Sequence, residues 1–209
     1  MIYSKRFRFL FVHVYKTAGR SIESALENFL KKRSLGIYNK LLNRAYSEYK
    51  AHEFANSVNP HASAACIRNE LGAEEWNKLF SFAFVRNPWD MQVSLYNFML
   101  KDKTHFQHDL ISSMSSFDEY IEWRCSNNVK LQKKFVCDNK GNLLVDFLGK
   151  FENLTKDFEY INKRVNMDEE LPHLNLSNAT DYRSYYNNAT REKIETHYAE
   201  DIDFFNYKF

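Results

Sequence analysis

Apolar positions along this chain follow two recurring patterns, separated by polar turns. Continuous apolar runs at residues 7–14 and 82–85 are typical of strands buried on both faces of a sheet. Each run is followed by a polar turn and then by apolar positions three or four residues apart, which predicts a helix. The first helix has its apolar positions at residues 22–30, and the second runs from residue 88 to about residue 101. This order predicts a layered α/β fold with a central, mostly parallel sheet flanked by helices.

Weaker signals predict the remaining elements. Further helices are expected at residues 61–71, 74–79, 117–125, 153–165 and, last in the chain, 190–198. Gly72 is expected to end the first of them, and residues 135–151 are interpreted as a hairpin that turns at residues 139–142. Residues 36–60 indicate an irregular connection. With 209 residues and no visible repeat or linker, the chain is expected to form one domain, residues 1–209.

The first polar turn, residues 15–21, has the composition of a phosphate-binding loop. It precedes a predicted helix, whose N-terminal N–H groups and partial positive charge attract anions. Lys16 adds a cation, and the hydroxyl groups of Thr17 and Ser21 add donors. The expected anion contacts come from Lys16, Thr17, Ala18, Gly19, Arg20 and Ser21. Ordinary surface turns have similar compositions, so the loop by itself leaves both interpretations open.

The second polar turn begins at Arg86, which ends the second predicted strand. Asn87 and Pro88 suit the start of the following helix, as its N-cap and its first helical residue. Ser94 follows Arg86 by eight residues, on the polar side of that helix. A guanidinium and a hydroxyl can together hold a phosphate, but Arg86 can also form a surface ion pair with Asp90. Because parallel strands end at one edge of a sheet, the two turns together predict a ligand with two phosphate groups.

Both turns resemble motifs of the carbohydrate sulfotransferases. Residues 11–22, FVHVYKTAGRSI, are similar to the 5′-phosphosulfate loop of that family. Residues 82–90, FAFVRNPWD, followed by VSLYNF at 93–98, are similar to its 3′-phosphate motif, in which an arginine and a serine eight residues later bind the 3′-phosphate. The likeness extends over nearly the whole chain, to residues 151–154, 171–175 and 201–209.

Two positions of the loop differ from the family's pattern. The family usually has proline where this chain has Tyr15, and threonine where it has Arg20. Loss of proline removes a constraint on the turn, and Arg20 replaces a hydroxyl contact with a charged one. Lys16 and the backbone donors are retained, so donor binding is still expected.

The resemblance implies a P-loop-like three-layer fold and a defined reaction. A sulfuryl group would pass from 3′-phosphoadenosine 5′-phosphosulfate (PAPS) to an acceptor hydroxyl by in-line transfer. The hydroxyl would attack sulfur, and adenosine 3′,5′-bisphosphate (PAP) would leave. Lys16 would stabilise the charge growing on the bridging oxygen, and Arg86 with Ser94 would bind the 3′-phosphate. The acceptor is expected to be a glycan.

The attacking hydroxyl must lose a proton, for which histidine is the natural general base. His61 is the candidate, because it opens the helix predicted between the two phosphate motifs, the region in which the resemblance to several related sulfotransferases implies the catalytic histidine. His52 is its rival, and a helix-capping or packing role for His61 stays open. His13, inside the first strand, is interpreted as a hydrogen-bonded core residue. His105 and His108 lack further candidate ligands, so no metal is expected.

Two other functions compete with sulfuryl transfer. A nucleotide-dependent kinase would share the strand, loop and helix, but the Gly-x-x-x-x-Gly-Lys-Ser/Thr loop is absent and Lys16 stands at the start of its loop rather than at the end. A non-catalytic nucleotide-binding relative is the other alternative, for which Tyr15 and Arg20 are the only indications. Binding of PAP against binding of ATP with magnesium distinguishes the kinase.

Composition narrows the environment and the partners. The net charge of +2 argues against a nucleic-acid partner, which usually requires a strongly basic domain. No apolar segment is long enough for a signal peptide or a membrane span. Three cysteines without repeated spacing favour a reducing compartment, so the protein is expected in the cytoplasm. The sequence leaves the oligomeric state undetermined.

Overall fold

A four-stranded sheet organises the fold of the computed structural model, which describes residues 1–34, 61–172 and 181–209. The strands lie in the order β1 (Ile2–Ser4), β2 (Phe9–Val12), β3 (Phe80–Val85) and β4 (Phe147–Lys150). Strands β2, β3 and β4 are parallel, whereas β1 pairs antiparallel with β2 at the edge. The predicted mixed α/β fold with a mostly parallel sheet is therefore confirmed.

The register of the parallel strands brings their carboxyl ends to one edge of the sheet. Phe11 of β2 pairs with Phe82 of β3, and Val85 at the end of β3 pairs with Lys150 at the end of β4. The chain leaves β2 into the Lys16 turn and leaves β3 directly into Arg86. Ligands of open α/β folds bind beyond this edge.

The main core lies on one face of the sheet. It is formed by Phe9, Phe11, Phe82 and Phe84 of the strands and by apolar residues of two helices, α1 (Gly19–Ser34) and α8 (Leu154–Val165). The alternate strand residues, which point to the other face, are also fully buried. Burial on both faces explains why β2 and β3 are continuous apolar runs.

The remaining helices that the structure describes have 4 to 14 residues, and those at Pro88–Lys101 and Phe117–Asn127 are the longest of them. Between β2 and β4 the chain forms α2 (Ala64–Leu71), α3 (Ala73–Trp76), α4 (Pro88–Lys101), α5 (His108–Ser112), α6 (Phe117–Asn127) and α7 (Lys133–Val136). After α8 it forms α9 (Asn188–His197) and α10 (Ala199–Phe205), with 3-10 turns at Phe151–Asn153 and Tyr182–Tyr185.

The predicted helix boundaries are confirmed where capping chemistry marks them. The side chain of Asn87 accepts a hydrogen bond from the N–H of Trp89, and Pro88 is the first residue of α4. Gly72 ends α2 with a φ of 79°, a value that favours glycine. The helix expected from His61 starts later, because Ser63 caps α2 by accepting from Cys66 N.

Two predictions are confirmed only in part. The turn of the hairpin predicted at 135–151 is present, because Cys137 forms an antiparallel bridge with Leu143 and Asp138 N donates to the carbonyl oxygen of Asn142. The predicted second arm is wrong, since β4 pairs parallel with β3 instead. The turn residues at 139–142 gave a local signal that carried no information about the distant partner. The helix at 190–198 is not the last, because α10 follows it. The predicted connection at 36–60 lies outside the described residues.

The chain divides into two compact units. One consists of Met1–Val85 with Lys134–Leu174 and contains the sheet; the other consists of Arg86–Lys133 with Asn175–Phe209 and is helical where it is described. In the second unit, buried aromatic side chains include Trp89, Tyr120 and Tyr198. A single domain over residues 1–209 stays a prediction.

No helix within residues 1–34, 61–172 or 181–209 has the length and apolar character needed to cross a membrane.

Candidate active site

The turn between β2 and α1 has an unusual backbone. Lys16 and Ala18 adopt left-handed φ angles of 62° and 64°, which residues other than glycine rarely adopt. Such strain persists where the surrounding structure enforces it, often at ligand sites. The N–H groups of Thr17, Ala18 and Gly19 donate to no acceptor in the described part of the chain. Left-handed residues in a turn direct N–H groups into an anion-binding concavity, so this turn fits a phosphate or sulfate group.

Thr17 closes the turn from within. Its side chain is buried, and its hydroxyl donates to the carbonyl oxygen of Val14 at 2.8 Å. The carbonyl oxygen of Ala18 accepts from the N–H groups of Ser21 and Ile22 and so starts α1. Because a hydroxyl has one hydrogen, the Thr17 hydroxyl is used by the turn, and any donor contact of this residue falls to its backbone N–H.

Gly19 is required by a close approach of His13. A Cβ atom at position 19 would lie 1.8 Å from Nε2 of the His13 imidazole, far inside van der Waals contact. Gly19 is not among the residues with positive φ. The glycine is therefore needed for space and not for an unusual backbone angle.

His13 is held by a carboxylate behind the turn. The residue is only 9% exposed, and its Nδ1 donates to Oε1 of Glu23 at 2.9 Å. The amino group of Met1 donates to the same oxygen at 2.7 Å. Burial would raise the pKa of the Glu23 carboxyl, but the hydrogen bonds and charges of these two partners lower it to about 2. Glu23 is therefore ionised at any working pH, and the interpretation of His13 as a hydrogen-bonded core residue is confirmed.

His61 is exposed and lies against His13. Its Nδ1 donates to the backbone carbonyl oxygen of His13 at 3.2 Å, and the two rings meet edge-to-face with centroids 4.6 Å apart. Since a carbonyl can only accept, the proton of the neutral imidazole lies on Nδ1 and the lone pair on Nε2. Partial burial of the ring lowers the pKa of His61, which outweighs the opposite effect of the carbonyl. A neutral imidazole with Nε2 as acceptor has the protonation state of a general base.

Arg86 is buried in the second unit and paired with an acid. It is 5% exposed, and its Nε and Nη2 donate to the two carboxylate oxygens of Asp90 at 2.7 and 2.9 Å. The ion pair with Asp90 is present, but as a buried two-pronged contact and not as a surface pair. It fixes the plane of the guanidinium.

The backbone of Arg86 is fixed by a second, buried set of contacts. Gln132 accepts from Arg86 N at 2.9 Å and donates to Arg86 O at 2.7 Å. The carboxylate of Asp201 in turn accepts from the backbone N–H groups of Gln132 and Lys133. Burial raises the pKa of Asp201 to about 6, although these two N–H groups act in the opposite direction.

Ser94 lies on α4, two turns after Arg86. Because Asp90 and Ser94 are four residues apart, they share one face of the helix. Ser94 is half-buried, and within the described residues no hydrogen-bond partner of its hydroxyl is found. On the same helix, Met91, Leu95 and Met99 are buried.

Comparison with protein families decides the class. Residues 1–208 match the model of the sulfotransferase family. The chain belongs to the sulfotransferase family. The resemblance stated from the sequence is thereby confirmed for essentially the whole chain.

A relative of this sulfotransferase family member is a protein of Archaeoglobus fulgidus named only as an uncharacterized protein. The two are 29% identical over 113 residues, a match that covers 50% of this chain and 82% of the relative. That name adds no information about substrate.

In this sulfotransferase family member, His13 contacts both the predicted loop, at Gly19, and the base candidate His61. Arg86 and Ser94 belong to the other unit, and His52 lies outside the described residues. The roles assigned to residues 16–21, His61, Arg86 and Ser94 stay predictions.

Sequence reasoning missed three residues that support the site: Glu23, Gln132 and Asp201. Glu23 stands one turn into an amphipathic helix and reads as an ordinary solvated acid. Gln132 lies in a segment without a motif. Only Asp201 falls within the family resemblance, at residues 201–209.

The two histidines considered for metal binding have protein partners. His108 Nδ1 donates to the carbonyl oxygen of Met99 at 2.8 Å, and the His105 ring packs on Phe98. In the part of the chain that the structure describes, no group of three or more potential ligands could hold a metal ion.

Proposed function

We propose that this protein is an enzyme that transfers a sulfuryl group from PAPS to a hydroxyl group of a carbohydrate. The observation that carries the proposal is the backbone of residues 16–19, which offers N–H groups at the start of a 16-residue helix. Membership in the sulfotransferase family supports the reaction class, and the resemblance to carbohydrate sulfotransferases supports the sugar acceptor.

PAPS, when bound, supplies a sulfuryl group joined to an oxygen of its 5′-phosphate. The N–H groups of the turn and Lys16 bind the phosphosulfate end, with Thr17, Ala18, Gly19, Arg20 and Ser21 as its contacts. Arg86 and Ser94 bind the 3′-phosphate. Lys16 neutralises the charge that grows on the bridging oxygen as the bond to sulfur breaks, so it stabilises the transition state more than the ground state.

His61 accepts the proton of the acceptor hydroxyl at Nε2 while the hydroxyl oxygen bonds to sulfur. Its Nδ1–H contact with the His13 carbonyl supports this role, because it selects the tautomer in which Nε2 is basic. The lowered pKa of His61 keeps the ring neutral near pH 7. The product PAP then leaves with the added charge.

Nucleotide binding and transfer test the proposal in sequence. Titration calorimetry should detect binding of PAP and none of ATP with magnesium. Labelled PAPS, screened over glycans, lipids, phenols and simple alcohols, should transfer label to glycans. Binding of ATP instead of PAP would support the kinase, and PAP binding without transfer to any acceptor would support a non-catalytic relative.

Variants of the two catalytic candidates test their roles. His61→Ala should lower kcat by about 10²–10⁴-fold with the Kd for PAP retained, because it removes only proton transfer. His197→Ala is the control, since that exposed ring contacts only a carbonyl of its own helix, that of Lys193, among the bonds described for it. Unchanged transfer by His61→Ala would leave His52 as the candidate.

Lys16→Ala should lower kcat by about 10²–10³-fold, because it removes the charge that stabilises the transition state. Lys31→Ala, exposed on α1, is the control and should not lower kcat.

The cytoplasm is the proposed location, supported by the three cysteines, which form no disulfide with one another.

A further inference from the structure

Behind the phosphosulfate turn lies a hydrogen-bonded pair that the mechanism above leaves unused, His13 and Glu23. The carboxylate accepts from Nδ1 of His13 at 2.9 Å, and the histidine side chain is largely buried. Burying charged and polar groups is unfavourable compared with packing apolar side chains of similar size. The pair therefore calls for an explanation beyond stability.

His13 contacts both parts of the machinery with different atoms. Its ring lies so close to Gly19 that no side chain would fit there. The same ring packs edge-to-face against the ring of His61, and its backbone carbonyl oxygen accepts the Nδ1 proton of His61. A movement of the His13 ring would therefore change its contacts with Gly19 at the start of α1 and with the ring of His61.

Glu23 controls that ring. Since the carboxylate can only accept, it holds the proton of His13 on Nδ1 and restrains rotation of the imidazole. Without it, nothing else among the contacts described for His13 would select that tautomer.

We propose that Glu23 is a positioning residue for sulfuryl transfer, which acts through His13 to hold the His61 ring in the orientation and charge environment a general base needs. The inference rests on the proposed function, because His61 must be the base. It adds a residue whose role is orientation and electrostatics and which does not touch substrate.

The negative charge of Glu23 has a direct electrostatic consequence. When His61 takes a proton it becomes an imidazolium, which a nearby carboxylate stabilises. Among the contacts described for His61 within residues 1–34, 61–172 and 181–209, the neighbouring groups are the His13 ring and carbonyl from the first strand, the Glu23 carboxylate from α1 and the amino group of Met1. Among them only Glu23 carries negative charge, so its removal should lower the pKa of His61 further.

Two substitutions separate charge from hydrogen bonding. Glu23→Gln keeps an oxygen that can accept from His13 but removes the charge, whereas Glu23→Leu removes both. We expect kcat for transfer from labelled PAPS to fall about 10-fold in Glu23→Gln and about 100-fold in Glu23→Leu, with the Kd for PAP within about twofold of wild type. The acid limb of the kcat/KM pH profile should move to lower pH in Glu23→Gln. Glu27→Gln, exposed one turn later on α1, is the matched control.

A double variant gives the decisive readout. If Glu23 acts through the base, Glu23→Gln should have no further effect on kcat in a His61→Ala background. Equal effects in both backgrounds, or a loss of PAP affinity that matches the loss of kcat, would overturn the positioning role. Unchanged kcat in Glu23→Gln would also overturn it. Absence of transfer by the wild-type protein would instead reject the proposed function itself.

Nitrogen chemical shifts of the imidazole rings provide a readout that does not need activity. Long-range ¹⁵N–¹H spectra of the wild-type chain should show His13 protonated at Nδ1. That state should persist in Glu23→Gln and shift toward Nε2 protonation in Glu23→Leu. A wild-type His13 protonated at Nε2 alone would contradict the proposal regardless of turnover.

Discussion

Substituting Gly19 by alanine tests the packing on which the loop and the base candidate both depend. A Cβ at this position would lie 1.8 Å from Nε2, 2.2 Å from Cδ2 and 2.6 Å from Cε1 of His13. The ring must move by roughly 2 Å before the closest pair reaches ordinary van der Waals separation. It cannot do so and keep its 2.9 Å contact with Glu23.

Two contributions of opposite sign determine how much Gly19→Ala changes the free energy of unfolding. Losing a hydrogen bond to a charged group lowers the free energy of unfolding by about 1.5–3 kcal/mol. Alanine is a better helix former than glycine by up to about 1 kcal/mol, and less at the first helical residue. The expected net destabilisation is about 1–3 kcal/mol, the range found for overpacked cores.

Urea unfolding followed by circular dichroism measures this change, with Ser24→Ala on the same helix as the control. In a His13→Ala background the clash is absent, so Gly19→Ala should then be neutral or stabilising. PAP affinity should fall in Gly19→Ala and recover partly in the double variant. A Gly19→Ala protein as stable as wild type, or destabilised equally in both backgrounds, would refute the argument.

Two further predictions concern the scaffold. Burial raises the pKa of Asp201 to about 6 in the folded chain, above the usual range of an aspartic acid. Between about pH 4 and 6 the folded state therefore binds more protons than the unfolded state. The stability that this group contributes is lost as the pH rises through that window. Asp201→Asn should remove up to about 3 kcal/mol of that pH dependence, measured by urea unfolding from pH 4 to 7, and an unchanged dependence would contradict the assignment. Gly149→Ala places a Cβ 2.4 Å from the buried Phe84 ring and should lower the free energy of unfolding by about 1–3 kcal/mol. Thermal melts measure this change, and PAP affinity should be unaffected. Loss of PAP affinity at full stability would argue against a purely packing role.

The parallel strands and their helices could be predicted from the sequence because their signals are local. Strands β2 and β3 are apolar throughout, and the start of α4 is marked by Asn87 and Pro88. Strand β1 was not predicted, since three residues, Ile2–Ser4, give no periodic signal. The wrong second arm of the hairpin predicted at 135–151 has a related cause: a strand's sequence does not specify whether its partner is the preceding strand or one far back in the chain.

The candidate site divides in the same way. Lys16 and Arg86 could be selected because they follow apolar runs and stand in recognisable motifs. The left-handed angles of Lys16 and Ala18 could not be foreseen, because neither residue favours that region of the backbone map. The carboxylates Glu23 and Asp201 looked like ordinary surface acids in the sequence.

By itself, the sequence determined the α/β class, the membership in the sulfotransferase family and the residues expected to bind the donor, because periodicity and motifs are written in neighbouring positions. The tertiary structure alone decided which ring nitrogen of His61 carries the proton, why position 19 must be glycine and which acid stands behind His13. Those features depend on contacts between residues 6 to 48 positions apart, and such contacts form only when the strand, the turn, the helix and His61 are packed together in the folded chain.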